Sequence, residues 1–349
     1  MRLYILTFIF TISIFCGCSR NSSDTPIPSP EEPDTSPVDS TFRNPLLSSG
    51  ADPWVIYKNG YYYFNETSGS NFITLRKTKY MSELENSTSV NIWSSSGFNY
   101  VWAPELHYIN NTWYMYFSAV ATDDDTHHTY VLQNKSNDPT SSNWTLIGQV
   151  TDPSGKRAID ASVFEYKGVY YMVWSGEDAE DNKMEDICIA KLSDPWTLDG
   201  ERVVISKPTY DWEKIGNATN EGPEAIINPN GDLFLTYSAS DCCSDYYAYC
   251  LGLLSLKTGG NPLNAEDWSK SDTAVFSTDA SKGAYAPGHN GFFMSPDSTE
   301  NWIIYHANSE MGGPRNPRIQ KFNWNDDGTP NFGKPMKIHT SIVKPSGEY

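Results

Sequence analysis

Residues 51–67 read ADPWVIYKNGYYYFNET. A small, proline-containing corner leads into a short apolar run, Asn59-Gly60 turns the chain, and an aromatic run follows that ends on polar residues. β-Branched and aromatic residues on both sides of an Asn-Gly pair predict a β-hairpin. The plan returns four times: APELHYINNTWYMYFSA at 103–119, IDASVFEYKGVYYMVWSG at 159–176, EGPEAIINPNGDLFLTYSA at 221–239 and APGHNGFFMSPDSTENWIIYHA at 286–307. Their turns fall at Asn110-Asn111, Lys167-Gly168, Asn230-Gly231 and the longer Pro296 to Asn301.

Aligning the corners at Pro53, Pro104, Ala161, Pro223 and Pro287 gives intervals of 51, 57, 62 and 64 residues. Each interval holds about four strands of ordinary length with their loops. No sustained helical periodicity separates the corners, which favours an all-β array over alternating βαβ units. Five four-stranded units arranged radially make a five-bladed β-propeller around a central funnel. A long β-sandwich is the alternative, but it would not explain why one hairpin recurs at each interval.

Equivalent positions of radial blades converge at one end of the axis. Asp52, Asp160 and Glu221 each stand within one residue of the equivalent place in their units. Any one of them could be a turn former. Three at equivalent corners predict a funnel of acids. Carboxylates with aromatic walls suit glycoside hydrolysis, in which a protonated acid serves the departing oxygen and an ionised carboxylate activates water from the opposite face. A third negative charge beside the acid would raise its pKa and keep it protonated. No cofactor is required for that chemistry.

ADPW, WAPE, IDASVF, NEGPE and APGHN, in that order, resemble glycoside hydrolase family 43 over everything after residue 41. The resemblance implies inverting arabinofuranosidases, β-xylosidases or endo-arabinanases, with Asp52 as general base, Asp160 as modulator of the acid's pKa and orienter of the sugar, and Glu221 as general acid. It also implies that His289 lies close to an axial cation, commonly calcium and partly ligated by water, and that a late arginine contacts substrate hydroxyls, for which Arg318 matches better than Arg315. Glu224 is expected to support its corner, and Glu105 to touch substrate or stabilise the funnel. Trp102, just before the second corner, is the first choice of sugar platform and Trp54 the second, because pentose rings present apolar CH faces to aromatic rings. Trp113 and Trp174 read as packing between blades. Asp123 to Asp125 read as a solvated turn, with His127 and His128 on a loop after it.

The chain has 349 residues, a formal net charge of -18 and a pI near 4.6. Such a surface excludes nucleic acid, which needs clustered Lys and Arg. Arg2 followed by the apolar run Leu3 to Phe15 reads as an export signal, too short for a comfortable membrane span. Gly17 before Cys18 resembles a bacterial lipoprotein processing site, which would leave Cys18 lipidated; ordinary signal cleavage nearby is the alternative. Residues 1–18 are thus signal and anchor, 19–41 a Ser/Pro/acidic tether, and 42–349 the propeller. Cys188, Cys242, Cys243 and Cys250 remain in an exported body where disulfides persist. Cys250 is expected to pair with one of the vicinal cysteines, although spacing fixes no connectivity.

The expected protein is a glycosidase of the outer membrane, periplasm or medium, touching membrane only through its N-terminal lipid. It would release α-L-arabinofuranose from plant cell-wall arabinan, arabinoxylan or their oligosaccharides. β-Xylosidase, in a family where many carry an added C-terminal β-sandwich not recognised here, and endo-α-1,5-arabinanase are the alternatives within the resemblance. A noncatalytic surface glycan-binding lipoprotein is the alternative of a different class.

Overall fold

A computed structural model describes residues 40–348 apart from 123, 125, 178–184 and 244. The export signal, Cys18 and the tether up to residue 39 lie outside the described residues, as do Asp123 and Asp125. Thr41, read as tether, already belongs to the folded body.

Twenty strands form five antiparallel four-stranded sheets, each in sequence order. Blade 1 comprises Trp54–Lys58, Tyr61–Asn65, Phe72–Thr78 and Ser89–Ser94; blade 2 comprises Phe98–Ile109, Thr112–Ala121, His127–Asn134 and Thr145–Gln149. Blade 3 is Ala158–Tyr166, Val169–Glu177, Glu185–Asp194 and Thr197–Ser206. Blade 4 is Asn220–Ile227, Leu233–Ala239, Cys250–Leu256 and Trp268–Lys270, and blade 5 is Tyr285–Met294, Asn301–Asn308, Arg315–Trp324 and Pro330–Asn331. The first strand of each blade touches the first strands of the next and the previous, and blade 5 touches blade 1, so the five close a ring around an axis. The expected five-bladed β-propeller is the observed architecture.

Local chemistry explains the hairpins. Asn59 and Gly60, Asn110 and Asn111, and Lys167 and Gly168 all have positive φ, and each pair joins strands that register directly across the turn, as at Lys58↔Tyr61 and Ile109↔Thr112. Turns of that handedness match the twist of paired strands.

The core is divided into layers between blades. Trp113 and Met115 of blade 2 pack with Tyr63, Ile73 and Leu75 of blade 1, and Trp174 and Cys188 of blade 3 with Tyr116 and Val131 of blade 2. Trp113 and Trp174 are fully buried, as expected of packing residues; truncating such a side chain typically costs about 3–5 kcal/mol. Cys250 faces the layer between blades 3 and 4, where the rim cysteines cannot follow it. The expected pairing of Cys250 is therefore corrected: Cys242 is bonded to Cys243, while Cys188 and Cys250 are buried free thiols.

The chain ends close the ring. Thr41–Phe42 pairs with Ile342–Val343. Asn44 then binds both backbone groups of Ile319 in blade 5, donating at 2.8 Å and accepting at 3.1 Å. The Gly50 amide donates to the Arg315 carbonyl at 2.8 Å, two residues before Asp52.

Every blade turns sharply where its first strand begins. The residue immediately before each aligned corner has positive φ: Asp52 (52°), Ala103 (38°), Asp160 (55°), Gly222 (53°) and Ala286 (50°). Strand register breaks at the same places in blades 2 to 5. Bulges and left-handed residues re-aim side chains and cluster at functional sites. Here they turn the corner residues toward the axis.

Candidate active site

Asp52, Asp160 and Glu221 come from three blades and line one cavity of about 340 Å³, together with Trp102, His289 and Arg315. Gly222, which follows Glu221, combines its positive φ with close approach: a Cβ there would lie 3.2 Å from the His289 ring. Only glycine fits that contact without strain. The Gly222 amide donates to Asp160 Oδ2 at 3.2 Å, tying the blade 3 and blade 4 corners together.

Asp52 sits in a cationic and hydroxylic cradle. Thr67 Oγ1 donates to its Oδ2 at 2.6 Å, and Arg315 Nη1 donates to Oδ1 at 3.3 Å. His289 Nδ1 lies 3.3 Å from Oδ1. Burial works to raise the Asp52 carboxyl, but His289, Arg315 and the Thr67 hydroxyl outweigh it and hold the group well below the ordinary carboxylate range. His306 is no ion-pair partner of this acid, because its Nδ1 accepts the Asp52 backbone N–H at 3.1 Å and burial pushes its pKa well down.

Glu221 has the opposite character. Burial, followed by the negative charges of Glu185 and Asp160, raises its carboxyl well above the ordinary range, against a lowering effect of the Tyr249 hydroxyl. That hydroxyl donates to Glu221 Oε1 at 2.6 Å. Asp160 is pushed up to about 6, chiefly by burial and by Asp52 and Glu185, with His289 opposing. One cavity thus holds an acid kept ionised and an acid kept protonated, which is how paired carboxyls take separate acid and base roles.

The other expected residues divide. Trp102 lines the cavity, its ring stacked on His127 at 3.7 Å between centroids. His127 and His128 do not lie on a loop: they open the third strand of blade 2, because strand pairing with Ala119 and Val120 begins directly at them. Burial and Arg157 push His127 down to about 4, leaving a neutral ring under the indole. His128 pairs with Asp124 at 3.1 Å.

Trp54 is corrected. Its indole donates to the Leu106 carbonyl at 2.9 Å and packs against His107, so it joins blades 1 and 2 and does not face the large cavity. Glu105 is likewise away from it, buried and bonded to His107 at 2.9 Å. Glu105 and Glu224 line a much smaller axial pocket with Asp52, His289 and Asn290. Burial and then Glu105 raise the Glu224 carboxyl well above its ordinary range. Arg318 is fully buried, its guanidinium donating to Asn316, Gly283, Ala307 and Ser309. The arginine at the cavity is Arg315, because alternate residues of this strand face opposite ways while Arg315 opens it at the rim.

Sequence reasoning missed Thr67, Tyr249, Arg157 and Glu185. Arg157 lines the cavity and pairs with Glu185 at 2.9 Å. Thr67 ends the quoted stretch of blade 1 and could have been read as the residue facing its corner. Tyr249 immediately precedes the third strand of blade 4 and Glu185 opens the third strand of blade 3, where no repeat position marks them.

Comparison with known proteins places these residues in context. The profile of glycosyl hydrolases family 43 matches residues 42–330. An extracellular exo-α-(1→5)-L-arabinofuranosidase of Streptomyces avermitilis is 38% identical over 319 residues, covering 87% of this chain and 66% of its own. The α-L-arabinofuranosidase 43 of Humicola insolens is 36% identical, covering 84% of this chain and 64% of its own. The chain thus spans slightly less than two thirds of the length of these curated relatives. The crystal structure of an α-L-arabinofuranosidase from Lactobacillus brevis superposes with a TM-score of 0.80 at 35% identity, covering 86% of this chain and 98% of that one.

Proposed function

The chain belongs to glycoside hydrolase family 43, and from that premise we propose that it is an inverting α-L-arabinofuranosidase acting on arabinan, arabinoxylan side chains or their oligosaccharides. The observation that carries this reading is the opposed electrostatics of two corner acids in one cavity, Asp52 held ionised and Glu221 held protonated. The names of the relatives support arabinose as the released sugar.

In the proposed reaction Glu221 gives its proton to the glycosidic oxygen as the bond to the anomeric carbon breaks. Water attacks that carbon from the opposite face and gives a proton to Asp52. Two proton exchanges with solvent restore both groups. Asp160 keeps Glu221 protonated through its charge and faces the sugar. Arg315 holds Asp52 in the ionised form, and Trp102 is the platform for an apolar face of the pentose.

The axial pocket suits a structural cation. Asn290 is buried and both polar atoms of its amide lack partners, and Glu105 and Glu224 present two carboxylates beside it. Oxygen donors of this kind are what Ca²⁺ prefers. We assign Glu105, Glu224 and Asn290, with His289 beside them, as the residues that would hold it; it would neutralise the buried carboxylate charge there. Export completes the proposal, supported by the extracellular Streptomyces relative; an N-terminal lipid at Cys18 rests on the Gly17-Cys18 pair alone.

Incubation with α-L-arabinofuranosides, β-D-xylosides and debranched arabinan, followed by chromatography and NMR of the product anomer, tests it. Release of arabinose with β-configuration at first appearance is expected. Xylose alone, a ladder of oligomers or retained configuration would replace the reading by xylosidase, endo-arabinanase or a retaining enzyme; binding without turnover would make the protein a glycan binder.

A further inference from the structure

The cavity of the acids has a neighbour. A second cavity of about 370 Å³ is lined by Asp245, Tyr247, Asn308, Gly312 and Pro314, and it shares Cys242, Cys243 and Arg315 with the first. An occupant that spans both cavities must pass over the bonded sulfurs.

The disulfide has no evident task in stability. Cross-links stabilise by restricting the unfolded chain, and more so for longer loops. Cys242 and Cys243 are adjacent, so their bond removes almost no chain freedom. Neither sulfur is part of an interblade layer: Cys242 is half-buried and Cys243 exposed.

What the bond does is shape a surface. The Asp241 amide is anchored to the Ile215 carbonyl at 3.1 Å, and the Asp241 side chain accepts the Cys243 amide at 2.9 Å. The pair is therefore held at the rim by backbone contacts on its N-terminal side. Oxidation removes both S–H donors and leaves a polarisable, apolar face. Around it stand hydroxyl-binding groups: the Asp245 carboxylate, the Tyr247 hydroxyl, which accepts the Gly312 amide, and the Asn308 amide. An apolar floor ringed by such groups is the arrangement that holds a sugar ring by its CH face while its hydroxyls are paired.

We propose that the second cavity receives the sugar residue on the leaving side of the scissile bond, and that the Cys242–Cys243 disulfide is the platform it rests on. The inference rests on the glycosidase reading above. It makes oligosaccharide recognition more sensitive to reduction than recognition of the sugar in the first cavity, which the same two cysteines border on one side only.

The test compares the full chain oxidised, reduced with a phosphine, and as the C242A/C243A variant. Because Cys188 and Cys250 are free thiols, this disulfide is the one available to the reductant among the described residues. For arabinotriose, KM should rise about five- to tenfold on reduction with kcat within twofold, and reoxidation should restore it. Inhibition by free arabinose should weaken much less than the KM for arabinotriose rises, and the tryptophan bands of the near-UV circular dichroism spectrum should be unchanged. The variant should behave as the reduced protein; if it fails to fold, the reduced wild type decides. An unaltered KM for arabinotriose, or equal weakening of arabinose and arabinotriose, overturns the inference. Should the oxidised protein cleave no pentoside, the functional reading fails separately. Calorimetric titration of arabinotriose and xylotriose then decides: affinity that falls on reduction upholds the platform, and affinity that does not, or no binding, overturns it.

Discussion

Replacing Asp160 by Asn should move the alkaline limb of the pH–rate profile toward acid while altering activity in mild acid far less. Asp160 and Glu221 offer carboxylate oxygens within 4.8 Å of one another. At an effective dielectric of about 20, two unit charges at that separation repel by about 3.5 kcal/mol. One pKa unit corresponds to about 1.4 kcal/mol, so the ceiling is a shift of about 2.5 units, and water in the open cavity reduces it to about one or two. The sign follows from protonation. Asp160 titrates at about 6, so in wild type near pH 5 it is mostly neutral and exerts little repulsion. Above pH 6 its charge holds the proton on Glu221; in D160N that charge is gone, Glu221 ionises earlier, and the general acid is lost at lower pH. Burial and Glu185 still raise Glu221 in the variant, so the limb moves and does not collapse to the value of a free carboxyl. Asn keeps an oxygen to accept the Gly222 amide, which limits structural loss. The assay is kcat/KM on an arabino-oligosaccharide from pH 4.5 to 9. An alkaline limb that stays in place, or moves to higher pH, would refute the assignment of Asp160.

Three further outcomes are expected. Glu221→Gln should lower turnover of oligosaccharides by about 10²–10⁴, the usual span of general acid catalysis, and spare aryl glycosides with good leaving groups much more; Glu224→Gln should keep turnover, and the reverse order would transfer the acid role to Glu224. Arg318→Met should cost about 3 kcal/mol or more, because buried acceptors lose a charged donor, and appear as a lower Tm with near-normal KM, whereas Arg315→Met should keep its Tm and lose kcat/KM. Calcium at 100 times its Kd should add about 2.7 kcal/mol and raise Tm by about 5 °C, an effect that chelation reverses and Glu224→Gln removes; an indifferent Tm would dismiss the cation.

The blades were legible because each repeats a complete physical statement: corner, apolar run, turn of fixed handedness, aromatic run. The corner acids were legible for the same reason, since repetition converts sequence position into angular position. Partners that do not repeat were not. Tyr249 reaches Glu221 from the residue just before the third strand of its blade, and Glu185 approaches from the start of the third strand of blade 3. Trp54 and Arg318 failed for a related reason: they sit two residues after Asp52 and three after Arg315, within the first strand residues beyond the rim, where strand alternation exchanges a cavity wall for an interior. The vicinal cysteines were visible as letters, but their bonding to each other depends on the rim that carries them.

The closure of the ring has a consequence for how the protein is born and lost. Asp52 enters the funnel two residues after a backbone tie to Arg315, and Arg315 in turn touches the same carboxylate. The joint that completes the circle is therefore also the joint that assembles the proposed proton acceptor. With Asp52 as the proposed base, a nascent polypeptide should hydrolyse nothing until its final blade has docked on its first, and a molecule that begins to open at this weld should fall silent before it comes apart.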